Sequence, residues 1–179
     1  MLAKYFRWAL VLVFICAMDI SAMEYQHSLK LKNMNVSWRL DKDKVHFYLS
    51  AKTTGWVALG VGPEKVMQGA NIIIGAVKKG KVRIQDHYAD KKRSHKSDGK
   101  LGGDSHIINP YGREKDGVTV ISFTLPLDTG EKWDKALKKK GMNRMMFAYG
   151  TGRDSFLAGH KFRTLYDVDL STGKFRKIK

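Results

Sequence analysis

Apolar and polar residues alternate strictly in several stretches of the chain. Met34, Val36, Trp38 and Leu40 share one parity, and Asn35, Ser37 and Arg39 the other. That is the pattern of a strand with one buried face. Val45, Phe47 and Leu49 repeat it after a charged turn, as do Ile121, Phe123 and Leu125, and Tyr166, Val168 and Leu170. The run 71–77, NIIIGAV, is almost wholly apolar and suits a strand covered on both faces. Beyond it, Lys79-Gly80 is the expected tip of a hairpin into Val82 and Ile84. Only 131–141, EKWDKALKKKG, has helical character, with Gly141 as its stop. The charged, Gly-rich stretch 89–106 reads as a surface loop, and GKFRKIK at the end as a basic tail. About nine to eleven short strands with one short helix predict an all-β, antiparallel sandwich.

Composition changes the picture at the N-terminus. Lys4 and Arg7 precede an apolar stretch from Trp8 to Met18, and small residues follow up to Ala22. This is the order of a secretory signal peptide, and the apolar run is shorter than the roughly 20 residues a bilayer span needs. The expectation is a signal peptide at 1–22 and a single domain at 23–179, exported, to the periplasm first with an extracellular location as the alternative, without a stable membrane span. The single cysteine, Cys16, falls within the signal. The remaining chain therefore has no disulfide, thiolate metal site or covalent haem attachment. The formal charge is +16, and loss of Lys4, Arg7 and Asp19 lowers it by one to +15. Such a field draws in acidic proteins or anionic lipid; nucleic acid is not an expected partner of an exported protein.

Sequence patterns of catalysis are missing. There is no His-Glu-x-x-His, no Gly-x-Ser-x-Gly and no phosphate-cradling glycine loop, so the reading is a carrier or binding domain rather than an enzyme. His27 lies near the expected mature N-terminus and reads as exposed, His46 and His87 fall on polar faces, and His95 and His106 lie in or beside the charged loop. The spacing of His87, His95 and His106 fits no chelating pattern. His160 differs, because it ends a long loop, GTGRDSFLAGHKF, between two strands, and long loops in compact domains are often functional. Gly159 before it lets the backbone approach a flat ligand. Met67 sits in a short loop between GWVALGV and NIIIGAV, where a thioether has little core to fill. Alone, each has a bland explanation: a gap-filling methionine, a histidine bonded to a carbonyl. Together they are the axial pair of a six-coordinate, low-spin haem.

The segments GWVALGVGPEKVMQGANIIIGAV, VRIQDHYAD, FTLPLDTGEKWD, MFAYGTGRD and GHKFRTLYDVDLSTG resemble, in order and spacing, the DOMON domain family. That family is named for the N-terminal domain of dopamine β-monooxygenase and includes the haem-carrying cytochrome domain of cellobiose dehydrogenase. The resemblance implies an immunoglobulin-like β-sandwich. In its haem-binding members a loop methionine and a late histidine hold non-covalent haem b, and by motif these fall on Met67 and His160. Tyr149, Arg153 and Lys161, near the ligand loop, are the candidate propionate partners. An asparagine, Asn71, stands where many relatives carry an acidic residue, which on this reading alters the haem site.

The function implied is electron transfer, with a partner that is an acidic redox protein or a membrane oxidoreductase. Two alternatives stay open. Other family members bind sugars, so the chain could be a haem-free carbohydrate or small-molecule module, with Trp56 or Trp133 as a platform. It could also be an adaptor that uses only its basic surface. The adaptor reading sets Met67 and His160 far apart; the haem reading requires them at one cavity.

Overall fold

The alternating runs form strands, and their apolar parities face one another. The computed structural model describes residues 24–178; the expected signal peptide lies outside them. In chain order the elements are β1 (His27–Leu31), β2 (Met34–Asp41), β3 (Lys44–Ala51), β4 (Val57–Val61), β5 (Asn71–Lys78), β6 (Lys81–Lys91), β7 (Ser94–Ser97), α1 (Asp98–Leu101), β8 (Ile108–Lys115), β9 (Val118–Pro126), β10 (Met142–Gly150), β11 (His160–Asp169) and β12 (Phe175–Lys177). Five strands pair in the order β1-β2-β3-β9-β8 and seven in the order β12-β11-β10-β4-β5-β6-β7. The pairings are antiparallel throughout. The two sheets pack as a sandwich, as the alternation requires.

The core lies between the sheets. In the smaller sheet, Trp38 lies opposite Phe47, and Phe47 opposite Phe123. In the larger sheet, Leu59, Ile73 and Phe147 meet them from β4, β5 and β10. Trp38 buries its indole and donates Nε1–H to the carbonyl of Leu170 at 3.0 Å, so its one polar atom is satisfied. At the β5–β6 hairpin, Lys79 and Gly80 have φ of 49° and 75°, the double positive φ of a two-residue turn whose twist matches its strands.

The all-β antiparallel sandwich stands, and three segments depart from the expectation. Among the described residues the strands number twelve, because the charged stretch 89–106 holds the end of β6, all of β7 and α1, and the basic tail holds β12. Short, lysine-rich edge strands of this kind carry little hydrophobic signal while still completing the hydrogen-bond ladder. The helix is Asp98–Leu101, and 131–141 is not helical. In that segment Leu137 drops into the core and its N–H bonds the carbonyl of Leu127 at 2.6 Å. The Asn143 side chain bonds both the N–H and the carbonyl of Lys138. Local side-chain bonds have replaced the helical ladder. Among the described residues no helix is long and apolar enough to cross a membrane.

Stability should follow the inter-sheet layer. Phe47→Ala is expected to cost about 3–5 kcal/mol, measured by urea unfolding. Leu157→Ser, at a side chain 90% exposed, should stay within about 0.5 kcal/mol of the parent.

Candidate functional site

A sandwich ordinarily leaves the outer faces of its sheets polar. The middle of the larger sheet does not. Ala58 of β4, Ile72, Ile74 and Ala76 of β5, and Met146 and Ala148 beside them form a second apolar cluster with Trp56 and Phe156. Above this floor lies a cleft of about 630 Å³, within the range of small-molecule and cofactor sites, roughly 300–1,000 Å³. Alanine and glycine at 58, 60 and 148 keep the floor low, so a flat ligand can lie close to the sheet.

One wall is the loop between β4 and β5. Gln68 N–H bonds the carbonyl of Lys65, and Ala70 N–H bonds that of Met67, each at 3.0 Å. Gly69 N–H and Ala89 N–H tie the loop to the β6 side at 2.9 Å. This tight winding puts Val66 at φ 59°, a strained value for a β-branched residue that is typical of ligand clamps. The next residue, Met67, lines the cleft.

The facing segment is the loop between β10 and β11. Trp56 fastens it: Trp56 N–H bonds the carbonyl of Arg153 at 3.3 Å, and its Nε1–H bonds that of Ala158 at 3.2 Å. The approach is close enough to require glycine on both sides. A Cβ at Gly55 would lie 2.7 Å from the Arg153 backbone, and one at Gly150 would lie 2.6 Å from the Trp56 ring. Phe156 is held between the Arg83 guanidinium, 3.9 Å from its centroid, and the edge of His87 at 5.9 Å. His160, where the loop re-enters the sheet, lines the same cleft as Met67.

The state of His160 follows from its neighbour. Arg163 Nη1 lies 3.2 Å from His160 Nε2. A guanidinium only donates, so Nε2 is the acceptor and carries the lone pair that a metal would take. Arg163 also lines the cleft, as do Lys92, Arg93 and His95.

The other candidates separate. Tyr149 has the parity of Phe147 and faces the inter-sheet core, stacked on Phe162 at 5.3 Å, with its hydroxyl 3.5 Å from the carbonyl of Lys32. Arg153 and Lys161 are exposed and are not among the residues lining the cleft. The cation that does line it beside His160 is Arg163, which lies opposite Ala148 in register. Counting strand parity from Ala148 would have found it. Asn71 is not in the cleft either: it shares the inner parity of Ile73, and its Nδ2 donates to Asp134 at 2.7 Å. The difference from an acidic residue therefore acts on an acidic cluster at the end of the sandwich, not on the cleft.

His87 is buried rather than solvated, because Phe156 and His95 cover it. Its Nδ1 is 2.8 Å from His95 Nδ1. Burial first, then His95 and the cations Lys100 and Arg83, push its pKa down to about 4. His106 belongs elsewhere, 2.9 Å from Asp134. Trp56 is buried under the loop it fastens, and Trp133 lies against Tyr88 at 5.2 Å.

Residues 30–150 match the DOMON domain. DBH-like monooxygenase protein 1 of Homo sapiens is 30% identical over 143 residues, which is 80% of this chain and 22% of that protein. The protein of the same name from Gallus gallus is 28% identical over 146 residues, 79% of this chain and 23% of that one. The chain spans about a fifth of the length of these curated relatives. The cytochrome b domain of pyranose dehydrogenase from Coprinopsis cinerea shares the fold, with a TM-score of 0.54 at 12% identity over 79% of this chain and 78% of that one. On the match over most of its length, this chain belongs to the DOMON domain family.

Proposed function

We propose that the protein is an electron-transfer module that holds a non-covalent b-type haem in the outer cleft of its larger sheet, where Met67 and His160 would hold the iron. One observation carries the reading. Met67 and His160, which are 93 positions apart in sequence, line the same apolar-floored cleft. The adaptor reading requires the opposite. A sugar site needs a ladder of polar partners, whereas this floor is Ala58, Ile72, Ile74, Met146 and Ala148. The likeness to a cytochrome b domain agrees in fold.

Bound haem would supply one-electron exchange between ferric and ferrous iron. The chain's own groups divide the remaining work. Met67 offers a soft thioether, which favours the reduced state over a second imidazole. His160 offers the Nε2 lone pair, and Arg163, released from that nitrogen, is placed to meet a propionate together with Lys92 and Arg93. With Met67 and His160 both holding the iron, the group would serve electron exchange rather than substrate chemistry. The formal charge, +16 over the full sequence and +15 without the expected signal peptide, favours fast, salt-sensitive docking to an acidic redox protein or a membrane oxidoreductase, and the proposed setting is outside the cytoplasm.

Absorption spectra test this directly. The purified protein, or the apoprotein titrated with haemin, should give a sharp Soret band and split low-spin bands after dithionite. Met67→Ala and His160→Ala should each lose the low-spin form, and Arg163→Ala should keep it while weakening haemin retention. A protein that takes up no haemin overturns the proposal.

The cleft wall also sets an acid limit. The folded-state pKa of His87, about 4, lies below the ordinary value of 6.5, so on acidification the unfolded chain takes up this proton first. The contribution of His87 to stability is complete above about pH 6.5 and is lost as pH falls towards 4. The melting temperature of the parent should therefore fall more between pH 7 and pH 4 than that of His87→Gln; equal falls would refute the assignment.

A further inference from the structure

A second group of polar residues lies on the inner parity of β5 and β6, away from the cleft. Four segments bring it together. Asn71 begins β5, Asp86 lies in β6, Asp98 opens α1, and Asp134 comes from the connection between β9 and β10. One carboxylate oxygen from each of Asp86, Asp98 and Asp134 lies within 4.8 Å of the others.

Several of their oxygens are buried without partners. Asp98 is 1% exposed and Asp86 3%. Neither carboxylate oxygen of Asp98 has a hydrogen-bond partner, and neither does Oδ1 of Asp86 or Oδ1 of Asn71, itself 5% exposed. Orphaned buried acceptors are costly, and charged ones more so. Asp134 accepts from Asn71 Nδ2 and from Thr129 Oγ1, His106 Nδ1 lies 2.9 Å from it, and the His106 N–H reaches Asp86 Oδ2 at 3.5 Å. No donor meets the remaining oxygens of Asp86, Asp98 and Asn71.

A cavity of about 10 Å³ opens among Asn71, Asp86, His106, Thr129 and Asp134, room for a single water or ion. Burial, with Asp98 and Asp134 nearby, pushes Asp86 up to about 8, and burial with Asp134 and Glu131 pushes Asp98 up to about 7.

We infer that Asp86, Asp98 and Asp134, with the amide oxygen of Asn71, form a binding site for a hard divalent cation of the calcium class. Carboxylate and amide oxygens without sulfur select hard cations. Calcium accepts six to eight such oxygens at about 2.3–2.6 Å in flexible geometry. Two oxygens on opposite sides of one such ion stand about as far apart as this cluster allows. Magnesium asks for shorter bonds in a near-ideal octahedron, which fits less well. The ion ties the β9–β10 connection and α1 to β5 and β6 of the larger sheet, a task left open once 131–141 is not a helix. Nothing in this site depends on haem in the cleft.

The test is calorimetric titration of calcium chloride into chelator-treated full-length protein, with the melting temperature followed in parallel. Terbium luminescence excited through tryptophan reports the site itself, because Trp133 is next to Asp134 in the chain. The parent should bind one calcium ion, melt about 5 °C higher with it, and sensitise terbium. Asp98→Asn and Asp86→Asn should lose all three responses. Each removes a buried negative charge without changing shape, so both variants should fold in chelator at least as well as the parent. Absence of calcium binding by the parent overturns the inference. So does calcium binding that survives in both variants, and so does binding of zinc in place of calcium.

Discussion

The structure depends on the larger sheet burying both of its faces at its centre. Strands β4, β5 and β10 press Leu59, Ile73 and Phe147 into the core between the sheets. The same strands turn Ala58, Ile72, Ile74 and Ala148 outward. An outer face of that composition is unfavourable in water unless something covers it. The β4–β5 and β10–β11 loops cover its edges and leave the middle as a cleft. Its position follows from hydrophobicity, and its width from how the loops are fastened.

Trp56 does most of that fastening. It closes one end of the second apolar cluster and bonds the β10–β11 loop through both its backbone N–H and its indole N–H. Gly55 and Gly150 permit the contact, because a side chain at either would collide with backbone or with the indole. The Gly-Trp pair therefore sets the spacing of the loop that carries Phe156 and His160. On the other side, the strained backbone at Val66 is held by hydrogen bonds running to the β6 side. Met67 and His160 thus both sit in loops that are fastened to the sheet by hydrogen bonds.

Sequence alone revealed the sandwich because burial with a period of two is written directly in the residues of β2, β3, β9 and β11. The unbroken apolar run of β5 announced a strand covered on both sides. Elements held by polar contacts were invisible. No pattern in 131–141 says that Asn143 satisfies its backbone, and β7 has no apolar face to betray it. Met67 and His160, which line one cleft, stood out in the sequence because methionine in a tight loop and histidine at the end of a long one are unusual placements. Tyr149 was misplaced by reasoning from nearness in sequence instead of parity, which turns it to the core and Arg163 to the cleft. The acidic cluster could not be read at all, because its members come from four segments that meet only in three dimensions.

Parity also keeps the two polar sites apart while joining them mechanically. Consecutive residues of a strand point to opposite faces, so Ile72 lines the cleft while Asn71 meets Asp134. On the neighbouring strand His87 supports the cleft wall while Asp86 enters the acidic cluster. The sites stand back to back on β5 and β6, whose register pairs Ile72 with His87 and Ile73 with Asp86. An acidic residue at 71 would not touch a ligand in the cleft. It would add a further charge to three carboxylates that already repel one another, and it would remove the amide N–H that Asp134 accepts. Asparagine supplies a donor to one neighbour and leaves its oxygen for the cavity. Its effect on the cleft can pass only through the position of β5, which forms one side of that cleft's floor.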